Sequence, residues 1–375
     1  MQKKLQLFII VLYIFSLPLN FSLAEEQKTQ EKIYRAEVLE ITSEYFESTY
    51  SENEVLIQEI KATSLSKENK GEVFDITNDT FPLKVGDRFF VLENYDEFND
   101  VTYKYVNQID RSFILFILLL IFIATVIIFA GKQGVKSILG LLGSFLVIIY
   151  VLLPGLMKFG SPVLFSIIIS IIILFFAVII THGWNRTSFI ALLGLGTTMI
   201  ITALLAYFSV ELGQLNGYVS EEAVYVNFNS GGFIDVKGIL LGGIIIGIIG
   251  VLDDIAITQV SIVKQLWQSN PNQSKKDVFR GALTVGKDHT SSLVNTLVLA
   301  YAGVGLPTLL LYKSLNLSFL YTVNTEQLAA EIVRTLAGSI GIILCVPITT
   351  YLAILLINKD HLEINDTRHT CAHCH

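Results

Sequence analysis

Between residues 113 and 357 the chain carries seven apolar stretches, at 113–130, 135–154, 163–180, 189–209, 234–263, 294–312 and 332–357. Each is long enough to cross a hydrocarbon layer about 30 Å thick as a helix. No other feature restricts the fold as strongly, because a backbone in lipid must satisfy its polar groups internally. The expected fold class is an α-helical polytopic membrane protein, with about seven transmembrane helices after a signal or anchor segment and a small N-terminal all-β domain. Composition agrees: 52% of the residues are hydrophobic and only 16% charged, with a mean hydropathy of +0.60. A soluble domain carries nearer a quarter charged residues, so a cytosolic enzyme is excluded.

The formal net charge of −7 is unevenly distributed. Residues 1–24 contain Lys3 and Lys4 and no acid; residues 25–110 contain 9 basic against 20 acidic residues; residues 111–375 contain 15 basic against 13 acidic. The acidity belongs to one polar segment, and binding of nucleic acid is not expected. Residues 1–24 combine the two lysines, an apolar run and Ser22-Leu23-Ala24, the pattern of an export signal. An uncleaved anchor helix is the alternative, and either delivers residues 25–110 outside the cytoplasm. That segment has β-rich runs at 34–41, 55–60, 71–76 and 89–92, and a turn at 83–88 immediately before the last of them. A small barrel or sandwich of about five strands is expected, with no catalytic grouping in it.

With that domain outside, the loops that fall in the cytoplasm hold Lys132, Lys136, Arg186, Lys264, Lys275, Lys276, Arg280, Lys287, Lys359 and Arg368. The longest outer loop, 211–232, has Glu211, Glu221 and Glu222 and no Lys or Arg. Charge bias and export signal give the same topology, a multi-pass protein of the bacterial plasma membrane with its C-terminus in the cytoplasm.

The fifth stretch contains Gly238, Gly242, Gly243, Gly247 and Gly250 in overlapping small-xxx-small spacings, which allow close helix approach. It then carries Asp253 and Asp254 in an otherwise apolar run. An aspartate well inside a bilayer costs on the order of 3 kcal/mol, so the pair requires a partner, water or protonation. Helical geometry places Gly243, Gly247, Gly250, Asp254, Thr258 and Ser261 on one track, expected to be a close-packed face, with Asp253 about 100° away. The alternative is a solvated helix end at the cytoplasmic interface. Further on, Lys275 and Lys276 open an amphipathic segment, and Lys287, Asp288, His289, Asn295 and Thr296 form a polar stripe leading into the sixth stretch. Its expected partner is the aspartate pair, with Lys287 or His289 neutralising one carboxylate; capping of the sixth helix is the other reading.

Residues 250–259 (GVLDDIAITQ), Gly286-Lys287-Asp288-His289 and residues 295–303 (NTLVLAYAG) resemble the YibE/F family of bacterial multi-pass membrane proteins over about residues 110–357. The resemblance implies the membrane architecture and no named substrate. At superfamily level the membrane half is similar to resistance-nodulation-division exporters and SecD-type translocation subunits, in which an acidic pair serves a proton relay. That likeness implies such a role for Asp253 and Asp254 alone, and this chain departs from it in its small outer domain and two additional spans.

In the tail at 358–375, His369, Cys371, His373, Cys374 and His375 supply donors for zinc or copper. An unstructured tail and a haem-attachment pattern are the alternatives, and no other cofactor is expected. No nucleophile–base constellation or nucleotide loop is present, so the chain is not expected to be an enzyme. The functional expectation is a transporter or translocation-type permease, proton- or cation-coupled through Asp253 and Asp254. The alternative is a membrane scaffold or sensor whose outer domain binds an envelope partner. Expected partners are the bilayer, a solute or protons, and a second copy or paired membrane subunit.

Overall fold

The structure is a computed structural model in which residues 32–48, 54–96, 101–158 and 161–357 are described. The expected export segment and the Cys/His tail lie outside these residues. The chain divides near Phe122 into a sheet unit and a helical unit.

Five antiparallel strands form one sheet in the order β3-β2-β1-β4-β5: β1 (Lys32–Ser48), β2 (Glu54–Ser64), β3 (Val73–Asn78), β4 (Arg88–Asp96) and β5 (Val101–Ile109). Register shifts between Val38 and Glu40 and between Ile41 and Ser43 bend the long β1, which pairs with β2 on one side and β4 on the other. Alternating residues Ala36, Val38, Ile60, Ala62, Phe89 and Val91 point inward and are fully buried. The edge strands approach through side chains: Lys104 on β5 lies 3.7 Å from Glu72 and 4.4 Å from the centroid of the Phe74 ring on β3. The sheet is thus a partly open five-stranded barrel. Buried Gln58 fastens the segment before β4 by donating to the Leu83 carbonyl (3.0 Å) and accepting from the Leu83 N–H (2.9 Å) and Asn78 (2.9 Å). The expected turn is present, with Gly86 at φ 89° in open space, so conformation rather than room requires glycine there. Hydrogen bonds from Ser112 to Asp110, helped by the Arg35 guanidinium 3.2 Å away, hold this carboxyl below its ordinary range at the end of the sheet.

The helical unit begins in α1 (Ser112–Val147), which is broken at Gly131 (φ 55°, ψ −131°). A Cβ on Gly134 would stand 2.5 Å from the Val126 carbonyl oxygen, whereas eight residues along a straight helix span about 12 Å. The chain therefore turns back at Gly131, separating the first two apolar stretches. A π-helical turn (Ile148–Leu152) and α2 (Leu153–Lys158) lead to α3 (Pro162–His182), α4 (Arg186–Leu212) and α5 (Glu221–Asn229). Then follow α6 (Val236–Ser269), α7 (Lys275–Val304), α8 (Leu306–Ser314), α9 (Phe319–Val323) and α10 (Glu326–Leu356). Side chains of Asn185, Ser220, Asp235 and Ser274 cap α4, α5, α6 and α7 respectively.

Five helical segments are long and apolar enough to cross a membrane, or six if α7 and α8, bent by 53°, are one span. The broken helix from Ser112 onward counts as one of these. The polar segment expected to form a separate amphipathic helix is continuous with the sixth apolar stretch in α7, since Ser274 starts the helix and no proline interrupts it. Helices α4 and α10 pack through small residues. A Cβ on Gly194 would lie 2.5 Å from the Thr349 hydroxyl, and one on Gly341 would lie 2.8 Å from that of Thr202. The buried hydroxyls of Thr198, Thr202, Ser339 and Thr350 are satisfied by carbonyls four residues earlier.

Candidate functional site

Helix α6 has 34 residues and so a length of about 51 Å, with Asp254 about 27 Å from its start. Beyond the aspartates, Ile255, Ala256, Val260, Val263 and Trp267 remain fully buried. The helix therefore continues, packed against the rest of the protein, for about four turns beyond the Asp pair.

The glycines of α6 fall on two faces. Gly238 and Gly242 are buried against α3: a Cβ on Gly238 would lie 2.8 Å from the Pro162 ring, and one on Gly242 would overlap the Ser166 hydroxyl. Gly243, Gly250, Asp254 and Thr258 are exposed, and Gly250 has nothing within 4 Å of an added Cβ. The expectation of a close-packed face through Asp254 is corrected here. Helical spacing fixes which residues share a line, but the neighbours of α6 cover the opposite lines. Of the packing glycines named from sequence, Gly238 and Gly242 are buried against α3, Gly247 is met by the Tyr301 hydroxyl 2.9 Å from its Cβ position, and Gly243 and Gly250 are exposed.

Asp253, eleven residues or about three turns after Gly242, returns to the α3 side. Its Oδ1 is buried without a hydrogen-bond partner, as are the Ser166 and Ser170 hydroxyls of α3. Asp254 forms no hydrogen bond or ion pair among the described residues, and lies within electrostatic reach of His182 at the end of α3. Lys287, Asp288, His289, Asn295 and Thr296 are all exposed on α7, and Thr296 bonds back to the Ser292 carbonyl at 3.0 Å. Neither Lys287 nor His289 forms an ion pair with either aspartate among the described residues, so the expected neutralisation is not found. Helices α6 and α7 meet instead through Gln259, which donates to the Ala282 carbonyl and to Thr350 of α10, both at 2.8 Å. Gly286 makes room for this joint, since a Cβ there would stand 2.9 Å from the Gln259 side chain.

A second charged group escaped the sequence reading. Arg334 of α10, about 12 Å into its helix, pairs with Glu331 at 2.6 Å. Its guanidinium lies 5.9 Å from the centroid of the Tyr301 ring of α7. It borders the open glycine line, with Nη2 3.9 Å from the Cβ position of Gly243 and Cδ 3.9 Å from that of Gly247. The signal was available, because Arg334 interrupts the seventh apolar stretch and an ionisable residue there is a functional candidate by default. No group of three or more His, Cys, Asp or Glu side chains able to hold a metal occurs among the described residues.

The long apolar helices are those of a membrane protein of the multi-pass kind. Residues 118–359 match the family described as YibE/F-like protein, and the chain belongs to that family. No curated protein and no solved structure matches it.

Proposed function

We propose that the protein is a transporter or translocation-type permease of the bacterial plasma membrane, in which Asp253 and Asp254 take up and release protons or another cation as a solute moves. The observation that carries this reading is the placement of Asp254: exposed, without an ion pair among the described residues, and in line with Gly243, Gly247 and Gly250 of an apolar helix. A carboxylate at membrane depth is costly unless water, an ion or a proton reaches it, and a line of residues without side chains leaves room for such access. Asp253 complements it as a partly buried second carboxylate, and His182 is a neighbouring group able to exchange a proton. The distribution of Lys and Arg favours the sheet unit outside and the loops after α3 and α6 inside. The resemblance of the acidic pair to proton-driven exporters, read from the sequence, is consistent with it.

The test is a comparison of wild type with Asp253→Asn and Asp254→Asn in proteoliposomes carrying an internal pH dye. Wild type is expected to move protons down an imposed gradient, and Asp254→Asn to reduce that flux at least about tenfold while remaining folded and inserted. Equal flux from the wild type and both variants would sink the coupling role. The alternative reading, a membrane scaffold whose acidic sheet unit binds an envelope component, predicts a partner retained by residues 25–110 and no proton flux in any form.

A further inference from the structure

We infer that Arg334 is the recognition point for an oxyanion, a carboxylate or phosphate group, admitted beside the glycine line of α6 and held in competition with Glu331. This deepens the transport reading and rests on it, naming the chemical class of the solute.

A guanidinium presents five donors. Among the described residues Arg334 is hydrogen-bonded through Nη1 alone, to Glu331 Oε1, while Nε is buried without a partner. The other oxygen of the pair, Glu331 Oε2, is also buried without a partner. Two residues one turn apart therefore leave both a donor and an acceptor unsatisfied, where water is scarce and such groups are costly. A merely structural ion pair would gain from using both, in the bidentate geometry arginine and carboxylate favour. Nη2, 3.9 Å from the Cβ position of Gly243, is the donor that an incoming planar or tetrahedral oxyanion can reach, and displacement of Glu331 releases Nη1 and Nε to it as well.

The surroundings fit that occupant. Gly243 and Gly247 withdraw side chains from the space beside the guanidinium, and the Tyr301 hydroxyl stands 2.9 Å from the Cβ position of Gly247, offering a further donor. The Tyr301 ring supports the cation without neutralising it. Gly243, Gly247, Gly250 and Asp254 lie along one line of α6, so the cationic group and the open carboxylate stand along the same helix face, about 16 Å apart along the axis from Gly243 to Asp254. An anionic group bound at Arg334 replaces Glu331 as its counter-charge, and Glu331 is then the element that sets affinity.

The same chemistry is offered by a free solute and by an anionic lipid headgroup, and the two separate experimentally. The full chain is placed in nanodiscs of phosphatidylcholine alone, and its melting temperature is titrated with inorganic phosphate and with acetate at constant ionic strength. A second set contains phosphatidylglycerol and no added anion. Wild type is expected to be stabilised in a saturable way by at least one probe. Arg334→Ala is expected to weaken that response about tenfold or more, and Arg334→Lys to recover it only in part, because a point charge replaces a fork. Glu331→Gln is expected to tighten it several-fold by removing the competitor, an outcome that a structural ion pair does not produce. Response in the first set assigns a soluble solute, and response confined to the second assigns a lipid headgroup. Arg334→Lys and Glu331→Gln responding like wild type in both sets overturns the inference. Retained anion response in Asp254→Asn, with proton flux unaffected by that change, would remove the coupling role and leave the oxyanion site standing.

Discussion

Two faces of α6 carry glycines at similar spacing and have opposite surroundings. Gly238 and Gly242 are pressed against Pro162 and Ser166 of α3, whereas Gly243 and Gly250 are open and Gly247 meets only the ends of Tyr301 and Arg334. On the first face the missing side chain lets two helices approach; on the second it leaves the helix backbone uncovered beside Asp254. Small-xxx-small spacing in a membrane helix therefore has at least two physical uses. The polar residues that share its line, Asp254 and Thr258, tell which one applies.

The comparison can be broken most severely at the closed face. Gly242→Val places a branched side chain on the Ser166 hydroxyl and is expected to cost about 2–3 kcal/mol or to prevent accumulation of folded protein, read by thermal unfolding in nanodiscs. Gln259→Leu, on the same closed half, removes the two 2.8 Å bonds that tie α6 to α7 and α10. It is expected to cost about 2 kcal/mol in the same measurement, because the Ala282 carbonyl loses a partner in a dry interface. Gly250→Ala sharpens the contrast from the open side: stability should change by no more than about 0.5 kcal/mol, since an added methyl meets nothing within 4 Å, while proton flux falls. Equal destabilisation by Gly250→Ala and Gly242→Val would remove the distinction between the faces.

How much of this was legible beforehand depends on the kind of information each residue carries. The apolar stretches, the sheet and the turn at 83–88 follow from local pattern, which lipid and backbone hydrogen bonding enforce. The shared line of Gly243, Gly247, Gly250 and Asp254 follows from 3.6 residues per turn. Which neighbour covers that line does not follow, because periodicity fixes directions around one helix and says nothing of where the next helix stands. The Gln259 joint depends in the same way on three helices converging from positions 259, 282 and 350. Arg334 was hidden for a simpler reason: one charge in 26 residues leaves a stretch apolar on average, and averaging conceals the residue that departs from it.

Gly131 has a consequence beyond the local turn. Straightened, the 36 residues of α1 would make one rod of about 54 Å, delivering the chain to the far side of the bilayer once; folded back, they return it. A single residue in a backbone region that side chains avoid thus sets the parity of everything downstream. A side chain substituted there is strained at φ 55° and is expected to weaken the reversal on which the direction of every later helix depends.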